Sequence, residues 1–444
     1  MYPLHLGLTP SPLRGGDKVD FSGIAFCREV TKMRRHFKRA GPILRKSEKI
    51  FMMLFVAGLA LVPVLAVSVP RILAFIPPLV GIIGFACYGF VFREKPQFSK
   101  PAFIIIGVIV GLSFLSALWA IDPAQSFERA GKSVALLVGG AFLISLAFCL
   151  KVEWLRAYAW VWPLAVFLTA FAICAEINFG FPVYRMIRGF SVQEFVPLAV
   201  LNRPTVTLAL LFLPSFAIMR HYVSLWRSVF VALVCLSPLM FMTESQSAQL
   251  GIAVAVAAAL LYPYKWKHAW AFAAIGIYVI MLATPFVAIW AFNNIVGQVE
   301  AVPALGDGGG YAGARMEIWD YVSRYALQNP LYGFGVEATR QVPSFGSTES
   351  YQQGQTILHP HNFVLQIWIE FGLLGITLAG AMIAYLLRQI QMTLSVAQAR
   401  IALPTMAATM AVASTSYGIW QGWWLGLLMV VTAYCICAVR LRVE

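Results

Sequence analysis

In "LHPHNFVLQIWIEFGLLG", residues 358–375, two histidines and an asparagine stand directly before a run of apolar residues. Histidine is the side chain best suited to exchange a proton near neutral pH. At the entrance of a membrane helix, His359 and His361 would meet little water and could act on a substrate held at the membrane rim. With a helix starting near Pro360, Leu365 and Trp368 share a face with His361. A base of this kind works only when neutral, so activity is expected to fall below a pH of about 6.5. The alternative is that both rings are interfacial hydrogen-bonders.

Other residues suggest what such a base would serve. Arg203 in "VLNRPTVTLAL" stands where an apolar stretch begins, with Pro204 suited to the first turn of a helix, and Arg315 opens the segment "GARMEIWDYVSRYALQNP". Guanidinium forks at helix entrances suit a phosphate or diphosphate, which they grip bidentately. Alternatively each arginine snorkels or pairs with a carboxylate such as Glu317, Asp320 or Glu194. Ser245, Gln246 and Ser247 in "TESQSAQLG" could hydrogen-bond a sugar or phosphate, or cap a helix. Glu370 lies inside an apolar run, where a carboxylate is costly; it reads as a neutral or hydrogen-bonded group locking its helix to a neighbour. The acidic residues and the His359–Pro360–His361 pair lack metal-ligand spacing. "GDGGGYAGA" at 306–314 lacks the Lys-Ser/Thr and preceding strand of a phosphate loop and reads as a hinge. Neither a metal nor another cofactor is implied.

The elements that must hold these residues are membrane helices. The chain has 444 residues, 60% of them hydrophobic and 12% charged, with a mean hydropathy of +0.76. That excludes an ordinary soluble domain. Stretches near the roughly 20 residues a span needs recur at 51–69, 72–92, 102–120, 133–150, 157–179, 205–219, 229–242, 250–264, 269–292, 363–387, 401–418 and 420–439. The sequence therefore predicts an all-α polytopic membrane protein with about twelve transmembrane helices. Three of the stretches, 205–219, 229–242 and 250–264, are short, and the boundary near Gly418 is poorly marked.

Of the 33 Lys and Arg residues, only Arg71, Arg129, Lys132, Arg185, Arg188, Arg203, Arg315, Arg324 and Arg340 fall on the side opposite the N-terminus. The positive-inside tendency then places both termini in the cytoplasm. The net charge of +14 fits an anionic inner leaflet and needs no nucleic acid. Residues 1–45 read as a basic cytoplasmic tail without the apolar core of a signal peptide. The seven cysteines suggest neither an exported disulfide framework nor a zinc site.

The domain organisation is thus the tail 1–45, helices one to nine over 46–292, an exported loop domain over 293–360, and helices ten to twelve over 361–444. A loop this long in a compact protein is usually functional or disordered. Within it, residues 313–330 carry helical spacing (Arg315, Trp319, Val322, Ala326) and predict an amphipathic helix on the membrane face. "YGFGVEATRQVP" supplies turn glycines, and the polar "SFGSTESYQQGQT" reads as a mobile lid.

His361-Asn362, nine residues, then Gly372-Leu373-Leu374-Gly375 resembles the H-[NSQ]-x9-G-x-x-G signature of the O-antigen ligase and polymerase superfamily. "LNRP" at 201–204, "TESQSAQLG" at 243–251 and "GARMEIWDYV...NPLYGFGVE" at 313–337 are also similar to O-antigen ligase segments, in the same order, although a small residue is the commoner one where Pro204 stands. The resemblance implies a GT-C-type architecture and a metal-independent, inverting glycosyltransferase. Such an enzyme moves a glycan from undecaprenyl diphosphate to lipid A-core at the periplasmic face of the bacterial inner membrane. It implies His361 as base and Arg203 and Arg315 as diphosphate ligands. His359, Asn362, Ser245, Ser247, Glu337 and Arg340 follow as further substrate contacts.

Two rival functions share part of this pattern. A polysaccharide polymerase of the same superfamily has the same base but another lipid-linked repeat as acceptor. A glycolipid flippase or secondary transporter also suits twelve spans, but usually places ionisable groups or broken helices at the bilayer midplane. The sequence shows neither clearly and gathers its unusual polar residues outside.

Overall fold

The computed structural model describes residues 46–301, 312–342 and 357–442, which belong to one compact unit spanning Leu44–Glu444. The expected tail over 1–45, the hinge segment up to Tyr311 and the lid over 344–356 lie outside the described residues.

Among the described residues all regular structure is helical. In chain order the helices are α1 (Lys46–Ala66), α2 (Ile76–Phe92), α3 (Lys100–Ser116), α4 (Pro123–Cys149), α5 (Val152–Tyr158), α6 (Val161–Asn178), α7 (Pro182–Arg188) and α8 (Asn202–Tyr222). They continue as α9 (Leu225–Phe241), α10 (Gln246–Leu261), α11 (Lys267–Glu300), α12 (Ala312–Ala326), α13 (Phe363–Thr393), α14 (Val396–Ala413) and α15 (Gly422–Leu441).

The protein is a multi-pass helical membrane protein. Each stretch marked as a span in the sequence carries a helix, but among the described residues nine helical stretches are long and apolar enough to cross a membrane. Three shorter apolar helices, α3, α9 and α10, occupy the remaining places. Of the three stretches that read as short, 229–242 and 250–264 are short helices, α9 and α10, whereas 205–219 is lengthened by a 3-10 turn at Leu198–Leu201 that feeds α8 and makes one long stretch, Leu198–Tyr222.

The main apolar core joins α1, α2, α4, α6, α8 and α15, with the fully buried Trp162 stacked on Tyr434 at 4.7 Å. A second cluster joins α11, α12 and α13 through Met281, Ile318, Val322, Leu365, Trp368 and Ile369. Helix α12 therefore packs against α11 and α13, whereas its amphipathic pattern predicted a helix lying on the membrane. Its buried face also carries Asp320 and Ser323. Asp320 accepts from Arg324 Nε at 3.0 and 2.9 Å, and the Ser323 hydroxyl donates to the Trp319 carbonyl at 2.6 Å. Polar groups satisfied in this way can be buried at low cost.

Helix α11 runs to Glu300, past the expected end of its span. Asn294, which reads as loop, donates to the Trp290 carbonyl at 2.7 Å within the helix. At 1.5 Å per residue its 34 residues extend about 50 Å, well beyond the roughly 30 Å hydrocarbon core.

Helix α13 is broken at Gly372, where φ is 57° and ψ is −149°. Segment 330–335 fills the gap. Phe334 and Gly335 donate to the carbonyls of Ile369 and Glu370 at 2.8 and 2.9 Å, and the amides of Leu373 and Leu374 donate to the carbonyls of Pro330 and Leu331 at 2.8 and 3.0 Å. An interrupted helix survives at membrane depth only when its freed backbone groups are satisfied by protein in this manner. The motif glycine is therefore a docking point for the "NPLYGFG" turn, whose Gly333 and Gly335 both take positive φ.

Candidate functional site

Asn362 caps α13, its Oδ1 accepting from Val364 N at 2.9 Å and Leu365 N at 3.3 Å. This is the N-cap geometry that short polar side chains favour, and it fixes where His361 stands. His361 takes a left-handed backbone with φ 54°. Trp319 of α12 donates to the neighbouring Pro360 carbonyl at 2.9 Å, tying the histidine segment to the helix that bears Arg315.

The His361 Nδ1 contacts the backbone carbonyl of Ser416, in the connection between α14 and α15. A carbonyl only accepts, so Nδ1 carries the proton and Nε2 keeps its lone pair. Burial pushes the His361 pKa below its ordinary value; the Ser416 carbonyl opposes that shift and Arg315 adds to it. Both the tautomer and the lowered pKa favour a neutral ring that accepts a proton at Nε2.

His359 stacks edge-on against His361, with ring centroids 4.1 Å apart. Trp423 donates to Gln421 Oε1 at 2.7 Å, which turns the Gln421 amide nitrogen toward His359 Nε2 at 2.8 Å. Its other ring nitrogen faces the His361 backbone N–H at 3.3 Å. A neutral imidazole carries one N–H and accepts at its other nitrogen, so the ring accepts only one of these two contacts; its pKa is pushed down to about 3 by burial first, then by His361, Arg340 and Arg203.

A cavity of about 210 Å³ opens beside these groups, lined by Ala199, Asn202, Arg203, Glu244, Ser245, Gln246, Ser247, Arg315, His361, Ser416 and Tyr417. Arg203, at the start of α8, lies with its guanidinium carbon 5.3 Å above the Trp423 ring, a favourable cation–π geometry. Burial raises the pKa of the Tyr417 phenol, while Arg203 and Arg315 are both near enough to pull it down. Ser245 occupies the N-cap position of α10 without making a side-chain cap bond, and Ser247 Oγ donates to the Thr415 carbonyl at 3.4 Å.

The structure therefore brings six of the residues expected from sequence, Arg203, Arg315, His361, Ser245, Gln246 and Ser247, into one cavity. His359 stands behind His361. Asn362 is engaged as a helix cap. Glu337 is buried at 4% exposure, paired with Arg129 Nε at 2.6 Å and with Arg340. The Glu337–Arg340 pair is thus part of an ion triad outside the cavity lining.

Asn202, Glu244, Ser416 and Tyr417 line the cavity without having been singled out in the sequence. Glu244 sits inside the "TESQS" segment and Asn202 beside Arg203, so their neighbours pointed to them. Ser416 and Tyr417 fall in the poorly marked boundary near Gly418 and gave no signal.

Glu370 is fully buried. Its carboxyl accepts from Gln366 Nε2 at 2.9 Å, Trp420 Nε1 at 2.6 Å and Glu337 N at 3.2 Å. Gln366 Oε1 accepts in turn from Ile419 N at 2.9 Å. As expected, Glu370 locks α13 to a neighbour, here the connection that carries Ser416. Among the described residues no group of three or more His, Cys, Asp and Glu side chains is gathered in metal-binding geometry.

Residues 231–380 match the family model described as O-antigen ligase, a stretch that includes Ser245, Ser247, Arg315, His359 and His361. Proteins whose names describe them as polysaccharide ligases are 28% identical over 118 residues in Rickettsia conorii and 29% identical over 119 residues in Rickettsia prowazekii. In both cases the match covers 26% of this chain and spans only 29% of the relative's length.

Proposed function

We propose, from the premise that residues 231–380 are an O-antigen ligase region, that the protein transfers a glycan from undecaprenyl diphosphate to lipid A-core. The convergence of Arg203, Arg315 and His361 on one cavity, from three distant parts of the chain, carries this reading. In it, twelve spans form a GT-C-type scaffold in the inner membrane of a bacterium, residues 1–45 are a cytoplasmic tail, and the 293–360 region lies in the periplasm.

The chemistry needs only groups found in the cavity. The oxygen of an acceptor hydroxyl attacks the anomeric carbon of the donor sugar while the bond from that carbon to the diphosphate oxygen breaks. The bonding pair leaves with the diphosphate, whose growing charge the two guanidiniums stabilise. The hydroxyl proton passes to His361 Nε2. Attack opposite the leaving group inverts the anomeric centre. The activated donor supplies the driving force, so neither a nucleotide nor a metal is required.

The interrupted helix α13 is the one feature that favours a transporter. Its break is closed by residues 330–335 through four backbone hydrogen bonds, and the cavity lies at helix ends instead. Deleting the gene tests the reading: long glycans should accumulate on the lipid carrier and disappear from lipid A-core, and an active chain should restore them. Single repeats on either lipid would assign a polymerase.

A further inference from the structure

The polar groups of the cavity divide by what they can give. Arg203 and Arg315 are donors only, and an anionic diphosphate, which presents acceptor oxygens, matches them. Three other groups cannot be matched by a diphosphate. His361 Nε2 is an acceptor. Glu244 is acidic and exposed at the cavity mouth, and its carboxylate makes neither an ion pair nor a hydrogen bond among the described residues, although two guanidiniums line the same cavity. Asn202 lines the cavity, and its side-chain oxygen has no donor among the described residues, a deficit that a turn of the amide toward a donor in the cavity would remove.

Two of these acceptors, Glu244 and His361, are tied to one another through the backbone. The Glu244 carbonyl accepts from Gln246 N at 2.9 Å in the turn that starts α10. Ser247 of the same turn bonds the Thr415 carbonyl, and the next carbonyl, that of Ser416, holds His361. The turn bearing Glu244 is thus anchored to the segment that orients the base. A sugar ring presents hydroxyl donors on adjacent carbons, which is the complement this group of acceptors lacks.

Resting on the transfer reading above, we propose that Glu244 and Asn202 form the acceptor-sugar subsite. They receive ring hydroxyls neighbouring the one that His361 deprotonates, while the arginines hold the diphosphate. The carboxylate at the mouth also repels a second anion, so that the polyol and the diphosphate sort to different parts of one cavity.

The test measures binding of two probes to the purified full-length protein: inorganic diphosphate and the core oligosaccharide released from lipid A-core. Glu244→Ala should weaken oligosaccharide binding about tenfold or more, the weight of one hydrogen bond to a charged acceptor, and leave diphosphate binding equal or tighter. Glu244→Gln, which keeps one acceptor oxygen, should recover part of the loss. Asn202→Ala should weaken the oligosaccharide alone, and Arg203→Ala the diphosphate.

Unchanged oligosaccharide binding in the Glu244 and Asn202 variants overturns the subsite, as does parallel weakening of both probes or failure of the wild-type chain to bind the oligosaccharide. A wild-type chain that binds both probes with these variant effects but forms no product overturns the transfer reading alone. One that transfers glycan while Glu244→Ala binds oligosaccharide normally overturns the subsite alone.

Discussion

The Nδ1 of His361 contacts a backbone carbonyl, that of Ser416, and not a carboxylate. The contact fixes the tautomer without adding a negative charge that would raise the basicity of the ring. His361→Ala should therefore reduce transfer about 10²–10⁴-fold while leaving diphosphate binding near normal. Ser416→Ala should be mild, because the acceptor belongs to the main chain. Purified His361→Ala protein working at the wild-type rate would remove the base.

The pH profile follows from the same contact. A base is active when neutral, and burial and Arg315 hold the His361 pKa below its ordinary value. The acid limb of transfer, where the ring takes a proton, should therefore be centred below the ordinary imidazole value of about 6.5. This moves the acid limit lower than the unperturbed imidazole value expected from the sequence. An acid limb centred at or above 6.5 would contradict the buried environment of His361.

His359 should act on stability. Its pKa is pushed down to about 3 in the folded protein against about 6.5 in an unfolded chain. Between those values the unfolded state binds the extra proton, so stability rises with pH. The contribution is complete above pH 6.5 and is lost progressively as pH falls toward 3, reaching the order of a few kcal/mol. His359→Gln should flatten the dependence of the apparent melting temperature on pH between 6.5 and 4. An equally steep dependence in the variant would place the acid sensitivity elsewhere.

Arg203→Ala and Arg315→Ala should each raise the KM for the lipid-linked donor, and Lys should recover only part of the loss, because an ammonium cannot reproduce the guanidinium fork. Arg203→Lys should fare worse than Arg315→Lys, since it also disturbs the cation–π contact with Trp423. Donor kinetics at matched protein levels check this; unchanged donor KM in both alanine variants rules out a diphosphate role.

The sequence placed the helices and the entrances of α8, α10 and α13 because hydropathy and helix-start residues are local signals. Residue types then singled out Arg203, Arg315 and His361. What each polar group bonds to is not local. Glu337 and Arg340 read as substrate contacts until Arg129, far away in sequence, completes their ion triad. Asn362 reads as part of a catalytic motif, yet its oxygen is taken by the first turn of α13. Ser416 contributes through its carbonyl, which no side-chain pattern can reveal. Gly372 reads as a spacing residue within one helical span, and the break appears only when residues 330–335 dock against it.

Glu370 offers a test of the clamp behind the base. Its carboxyl takes hydrogen bonds from Gln366, Trp420 and Glu337. Glu370→Leu leaves those donors unpartnered in an apolar interior, a cost of about 3 kcal/mol or more. Glu370→Gln keeps one acceptor oxygen and should fall between. Melting in detergent should rank wild type above Gln and Gln above Leu. Transfer should follow, because Ile419 and Trp420 anchor the connection that presents Ser416 to His361. A Leu variant as stable as wild type would show that the clamp is dispensable.

The helix break is a position intolerant of a side chain. At Gly372 the backbone has φ 57° and ψ −149°, a region essentially restricted to glycine. A Cβ there would come within 2.6 Å of the Pro330 oxygen and 2.7 Å of the Leu331 carbon and Tyr332 nitrogen. These are backbone atoms, held by the Leu373 and Leu374 hydrogen bonds to Pro330 and Leu331, so they cannot yield without opening the break to the bilayer. Gly372→Ala should therefore cost at least about 3 kcal/mol and sharply lower the yield of folded protein. Gly276→Ala, in α11 where an added Cβ meets nothing within 4 Å, should be neutral or slightly stabilising, since alanine favours a helix. Equal yields and melting temperatures for the two variants would mean that α13 does not need its interruption at Gly372.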